Sequence, residues 1–242
     1  MTFYHLCSMW NWRAVYLGRI IEPLAYFAFL LTGVSGMVAP ELRPHYMQMA
    51  ASGILCLLAF RAFTVAMSDV ANDRKWGVFA AFSMQGGRPA AYLGSVILSA
   101  LAMFLVQVGV LAIAALLVPG VLAELGDLAG LAGQLGLLLP IFAGWVGFGA
   151  VLGACIQGYA MRDLLTMLVT LPVAMAAPLF WSLAHAPEWL RAVALANPLT
   201  YNVGWVREPG PVSLAWAAGW ALCGLVLGSL ALARAEKTTR ER

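Results

Sequence analysis

The chain has 242 residues, of which 62% are hydrophobic and only 10% charged, and its net charge is +3. A soluble domain carries roughly 25% charged residues, and so few charges on a water-facing surface would leave large apolar patches exposed. The composition therefore excludes an ordinary soluble domain and points to a polytopic membrane protein. Nucleic-acid binding is excluded too, because the basic residues form small groups between apolar runs rather than one patch. Cys7, Cys56, Cys155 and Cys223 lie far apart with no CxxC pair. They read as small buried hydrophobes, not as a metal, redox or disulfide framework.

Residues 1–19 interleave Trp, Tyr and Arg with apolar side chains. Such rings prefer the headgroup level, so the segment reads as an interfacial helix in the membrane plane, with a frayed terminus as the alternative. Residues 20–39 form the first span, since about 20 residues at about 1.5 Å each cross a hydrocarbon core of about 30 Å. Arg13 and Arg19 precede this run as they would in a signal peptide. The run is longer than an h-region, however, and no A-x-A site follows. Pro23 is expected in the first helical turn, with Glu22 beside headgroups or a neighbouring arginine. A short loop at 40–46 leads to the second span, 47–68. Arg61 stands seven residues before Ser68, roughly 10 Å deep by helical rise. It either snorkels to the interface or faces a cavity.

The charged stretch 69–89 follows. Asp69, Asn72 and Asp73 offer cap chemistry for a helix from Arg74 to Met84. Trp76, Phe79 and Phe82 recur every three residues along one side of it. Gly86-Gly87 stops the helix, and Pro89 restarts one at its first turn. The third span, 91–118, ends at Pro119-Gly120. In 121–136, Leu122, Leu125, Leu128 and Leu131 form a helical repeat with Glu124 and Asp127 off the stripe, which reads as an outer loop with a helical turn.

The fourth span, 137–158, contains Gly149-x-x-x-Gly153, a pattern that lets a neighbouring backbone come close. A tight inside turn at 159–163 leads to the fifth span, 164–183, where Pro172 and Pro178 predict a kink or break. Residues 184–211 are too polar to span and too apolar to be free in water. They read as two short, half-immersed outer helices, near 188–196 and 200–206, separated by Asn197-Pro198. The sixth span is 212–233, with Gly224-x-x-x-Gly228 and a basic tail. The fold class is thus all-α: six transmembrane helices, an N-terminal interfacial helix, a helix in the 69–89 loop and outer re-entrant helices, in a single domain. On this reading ten Lys and Arg lie on the side of the termini and the 69–89 loop, and three (Arg43, Arg191, Arg207) on the other. The positive-inside rule then makes the termini and the loop cytoplasmic.

No Walker A, HExxH, GxSxG or EF-hand pattern occurs. His5, His45 and His185 read as solvated or interfacial. The span interiors hold almost no ionisable groups for an ion-coupled relay, and nothing suggests paired broken helices of inverted repeats. Energy for any transport would come from outside, through the 69–89 loop. Asp69-x-x-x-Asp73 resembles half of the Mg–diphosphate motif of intramembrane prenyltransferases, in which two carboxylates one turn apart share the ion. The next inside loop offers only Asp163, and helix capping is the competing reading of the pair.

The order of these features resembles the ABC type-2 permease family, the six-span subunits of drug, polysaccharide and lipid exporters. WRAVYLGRIIEPLAYFAFLL is similar to that family's entry into its first span. HYMQMAASGILCLLAF, with Gly53, is similar to its second span, and RKWGVFAAFSMQGGRPAAYLGSVILSAL to the inside loop leading into its third. The P-x-W-L, NPLT and R pattern appears as Pro187, Trp189, Leu190, Asn197, Pro198, Leu199, Thr200 and Arg207. Two features depart from the family: Phe180-Trp181 replaces its aromatic-proline pair, and the segment before the first span is short.

The resemblance implies a dimer with itself or a related permease, each subunit docked on a separate cytoplasmic ABC ATPase that carries the ATP and Mg, with no cofactor on this chain. It implies multi-pass residence in the cell membrane and outward movement of an amphipathic small molecule, such as a drug, or of a lipid-linked product. Coupling to the ATPase would fall to Arg74, Lys75, Trp76, Phe79 and Phe82. An outer gate would use Pro187, Trp189, Asn197, Pro198 and Arg207, and a substrate path Phe27, Phe29, Met37 and Arg61. A heme-export type assembly subunit, which resembles these permeases in hydropathy, and the prenyltransferase are the alternatives.

Overall fold

Long apolar runs punctuated by Pro and Gly favour helices over every alternative in a bilayer, because a helix satisfies its own backbone. The computed structural model, which describes residues 1–11, 13–125, 128–156 and 158–240, is all-helical over those residues. In chain order the α-helices are α1 (Thr2–Asn11), α2 (Arg13–Tyr26), α3 (Arg43–Lys75), α4 (Val78–Met84), α5 (Pro89–Leu117), α6 (Val121–Leu125), α7 (Leu128–Cys155), α8 (Tyr159–Ala176), α9 (Glu188–Leu195), α10 (Pro198–Arg207) and α11 (Pro211–Arg240). A π-helical stretch, Phe27–Gly33, continues α2, and a 3-10 turn, Leu183–His185, precedes α9.

Among the described residues, five helices are long and apolar enough to cross a membrane: α3, α5, α7 from Gly130, α8, and α11 as far as Glu236. The expected first span is helical but is not among the five, because it is divided into α2 and the π stretch. Pro23 lies in the interior of α2 rather than in its first turn. Without an N–H it cannot close the bond to the carbonyl of Arg19, four residues back. The side chain of Gln107 on α5 fills the vacancy, donating to that carbonyl at 2.8 Å. The Tyr46 hydroxyl donates to the Leu30 carbonyl at 2.7 Å and ties the π stretch to α3.

At the centre is α3, whose 33 residues extend about 50 Å, well beyond a hydrocarbon core of about 30 Å. Against it lies α7, with Gly149 facing the Phe63 carbonyl and Gly153 facing Val70; a Cβ at Gly153 would come 2.7 Å from the Met67 carbonyl oxygen. On its other side α7 meets α11 backbone to backbone, Gly144 and Gly147 against Gly224 and Gly228. The small-residue reading of both GxxxG patterns therefore holds, with Gly144 and Gly147 as unforeseen partners. Trp145 packs edge-on to Phe60 and Trp220, with centroids 4.9 Å away in each case, and closes the core. α8 stands at the margin, with 6% of its apolar window buried against 78% for α3.

Several boundaries differ from expectation. Helix α2 starts at Arg13, so the separate N-terminal helix ends at Asn11 and not at residue 19. Helix α7 starts at Leu128, nine residues early, because the Leu repeat continues into the apolar run; Asp127 is outside the described residues. Residues 159–163 are the first turn of α8 rather than a loop, and α8 ends at Ala176 because the residue before Pro178 is extended. The helix that contains the expected sixth span, α11, continues to Arg240. Of the cysteines only Cys56 is buried, while Cys7, Cys155 and Cys223 lie on the surface.

Candidate functional site

At the α3–α4 end the helix does not stop after Ser68. Nothing in 69–75 breaks the i to i−4 ladder, and Asp69, Asn72 and Asp73 lie within its last turns, so they cap nothing. The break comes at Gly77, whose φ of +73° an L side chain disfavours, and α4 starts there without a side-chain cap. The buried Asp73 turns inward. It accepts from the Tyr92 hydroxyl at 2.7 Å, and Nε2 of His5 is 3.6 Å from the same oxygen. Burial lowers the pKa of His5, against the opposing pull of Asp73, so this histidine is not the solvated group its position suggested. Tyr92 is fully buried and also receives the rings of Phe79, edge-on at 4.9 Å, and Phe82, at 6.1 Å. One side chain thus joins α1, α3, α4 and α5.

The five residues predicted for coupling consequently divide. Arg74 reaches back to the carbonyls of Gly153 and Ala154 and satisfies the last turn of α7. Lys75 sits 3.4 Å over the ring of Tyr159. Phe79 is buried and Phe82 half-buried, so the three aromatics do not form a common outer edge. Trp76 is 73% exposed and, with Met84, supplies the apolar surface of this end. Gly86 and Gly87 stop α4 as expected: Gly86 donates its N–H to Ser83 and Gly87 to Phe82, a Schellman closure.

At the opposite end the predicted helix pair is present as α9 and α10. Pro187 precedes α9, and Trp189 is exposed. The buried Asn197 caps α10 by accepting from the Leu199 N–H at 3.0 Å, and Pro198 takes the first helical position. The same amide donates to the Val173 carbonyl at 2.7 Å, at the open end of α8. Arg207 donates to the carbonyls of Pro178 at 2.8 Å, Leu179 at 2.7 Å and Met49 at 3.0 Å, and to the hydroxyl of Ser52 at 3.1 Å. It fastens the non-helical residues after α8 to α3. Gly53 makes the approach possible, since its Cα faces the Leu179 backbone directly.

The four residues predicted for a substrate path also separate. Phe29 and Met37 point outward. Arg61 forms an ion pair with Glu22, whose carboxylate also accepts from the Tyr26 hydroxyl at 2.6 Å. The pair lines a cavity of about 180 Å³ together with Arg19, Thr64, Ser68 and Gln107. Of its two expected settings, Arg61 takes the cavity-facing one, paired with Glu22. Phe27 lines a second, apolar cavity of about 390 Å³.

A family model described as ABC-2 type transporter matches residues 1–209. The chain belongs to the ABC-2 type transporter family. The match takes in everything from α1 to α10, including both ends described above, and leaves only α11 beyond it. ABC-2 proteins are the membrane permease components of ABC transporters, working with an ABC ATPase subunit and generally as dimers, so the chain is a transport component rather than an enzyme. No curated protein matches the chain.

Among the described residues the prenyltransferase alternative finds no support. The carboxylate of Asp73 is committed to Tyr92 and His5 inside the protein instead of facing an open diphosphate site. Tyr92 and Gln107 carry weight that the sequence pattern did not give them, while Glu22 meets a neighbouring arginine, one of its two expected settings. Gln107 had a signal, being an amide in the middle of an apolar run. Tyr92 had none, because its importance comes from residues 19 and 87 positions away.

Proposed function

We propose that this chain is the membrane subunit of an ATP-driven exporter that moves an amphipathic small molecule or lipid-linked product outward. The observation that carries the reading is the ABC-2 match over residues 1–209, on a chain with no nucleotide-binding motif of its own. The α2–π segment serves as the first of six spans, with Pro23 inside α2. Both termini and α4 face the cytoplasm, by the distribution of Lys and Arg. Two such subunits enclose the path, and a separate ATPase docks at the α3–α4 end, where Trp76 and Met84 are exposed and Phe79 and Phe82 pass its motion to Tyr92. The α9–α10 pair, held by Asn197 and Arg207, forms the outer gate. ATP binding to the ATPase favours one of two arrangements of the membrane halves.

The test is purification of the full chain from cells that do and do not express an ABC ATPase subunit with it. An ATPase subunit should co-purify, and hydrolysis should require it. Vesicles holding this chain alone that hydrolyse ATP would overturn the reading.

A further inference from the structure

The apolar cavity has a back, a roof and a mouth. Its back is made by Phe27 and Leu31 of the π stretch and by Ile54 and Leu55 of α3, all buried. Its roof is α6, through Leu122 and Leu125. Two polar contacts hold that roof to α3: the Gln48 amide donates to the Leu125 carbonyl at 3.3 Å, and Arg43 pairs with Glu124 at 3.7 Å. The end away from α4 is thereby covered. The exposed lining residues are Ala112 and Leu116 on α5 and Ala132 on α7. The cavity therefore opens sideways, between two helices that are long and apolar enough to cross a membrane. Every lining side chain is Phe, Leu, Ile, Val or Ala. A polar group inside would find no hydrogen-bond partner among them, and such a cavity takes up apolar ligands rather than water. Its volume of about 390 Å³ is well above the roughly 150 Å³ that admits a benzene.

We propose that this cavity binds one acyl chain of a bilayer lipid, entering between α5 and α7 in the leaflet away from α4, with the lipid head left outside. The lining excludes the head, because nothing in it can partner a phosphate or an ester. The mouth selects the source: lipid chains are the hydrocarbon against it, at a concentration that no dissolved apolar molecule reaches. Seated there, a chain touches the π stretch, α3, α5 and α7 at once and gives their side chains the dispersion contacts of a packed interior. The inference rests on the chain's place in a bilayer and not on the exporter reading, because occupancy is measured without an ATPase and its failure leaves the ATPase test untouched.

The experiment is photolabelling of the full chain in phosphatidylcholine vesicles, with a phosphatidylcholine that carries an alkyl diazirine at the middle of one acyl chain, followed by peptide mass spectrometry. Lipid that merely surrounds the protein labels outward residues such as Leu98 and Leu105, both 54% exposed. A chain in the cavity also labels Phe27, Leu31, Ile54 or Leu55, which are buried from the bilayer. Ala115→Phe fills the cavity from its α5 wall and should lower labelling of those four residues several-fold while leaving Leu98 and Leu105 unchanged. Should Ala115→Phe not elute as folded protein, Ala112→Leu takes its place, narrowing the mouth from an exposed position. A parallel sample uses adamantane diazirine, a free apolar probe. Labelling confined to the outward residues, labelling of the buried four that survives the filled variant, or entry of the free probe without the lipid would each overturn the proposal.

Discussion

The two ends of the molecule share a sequence signature, patterned polar stretches with aromatics, yet α4 at one end and the α9–α10 pair at the other are fastened by different means. At the α9–α10 end the fastening is directional: Asn197 and Arg207 give side-chain hydrogen bonds to the carbonyls of Val173, Pro178, Leu179 and Met49. At the α3–α4 end, α4 itself is held by two aromatic rings on Tyr92. Ring contacts tolerate changes of angle that a network of short hydrogen bonds does not. The difference would give compliance to α4, where an external engine is proposed to push, and fixity to the end proposed to close the path.

Substitutions can break this contrast. Phe79→Ala removes the buried contact between α4 and Tyr92 and should cost about 3 kcal/mol or more. Thermal unfolding of the full chain in detergent measures this, and a shift near zero would mean that α4 is held by something else. Arg207→Leu leaves several carbonyls without their donor. At about 1–3 kcal/mol for a buried unsatisfied group, it should lower the unfolding midpoint by several degrees. Gly53→Ala forces a methyl against the Leu179 backbone, and overpacking of this kind costs about 1–3 kcal/mol. Asn197→Ala loses a cap and a carbonyl donor for about 1 kcal/mol. At the end of the series, Trp76→Ala should leave stability within about 0.5 kcal/mol while reducing co-purification of the ATPase, which separates a contact surface from a structural one.

The sequence pattern was legible wherever one local rule dominated. Pro89 began α5 and Gly86-Gly87 ended α4. Asn197-Pro198 divided α9 from α10, and both GxxxG patterns marked helix contacts. The errors came where a distant residue overrode the local rule. Asp73 has the chemistry of a cap, but the ladder of α3 continues through it and Tyr92 supplies a better partner. Pro23 looked like a first-turn proline because its rescuer, Gln107, is on another helix. Phe79 and Phe82 share a spacing with Trp76, but which of them faces outward depends on Tyr92. Within the candidate site, the break at Asn197-Pro198 was legible by motif. The Glu22–Arg61 pair could be narrowed only to two options, because a side chain that reaches an interface and one that reaches a partner have the same spacing from a helix end.

The glycine contact between α7 and α11 has a mechanical consequence. Gly144, Gly147, Gly224 and Gly228 bring the two backbones into direct contact, with the Trp220 ring laid against Gly144, so sliding or rolling of one helix on the other meets backbone as well as side chain. With α3 pressed into Gly149 and Gly153 on the opposite face of α7, these three helices form a stator. Any stroke delivered at α4 would then be expressed by the parts hung around it: α2, with Pro23 in its interior, and α8, hardly buried and tethered at its far end by Asn197 and Arg207.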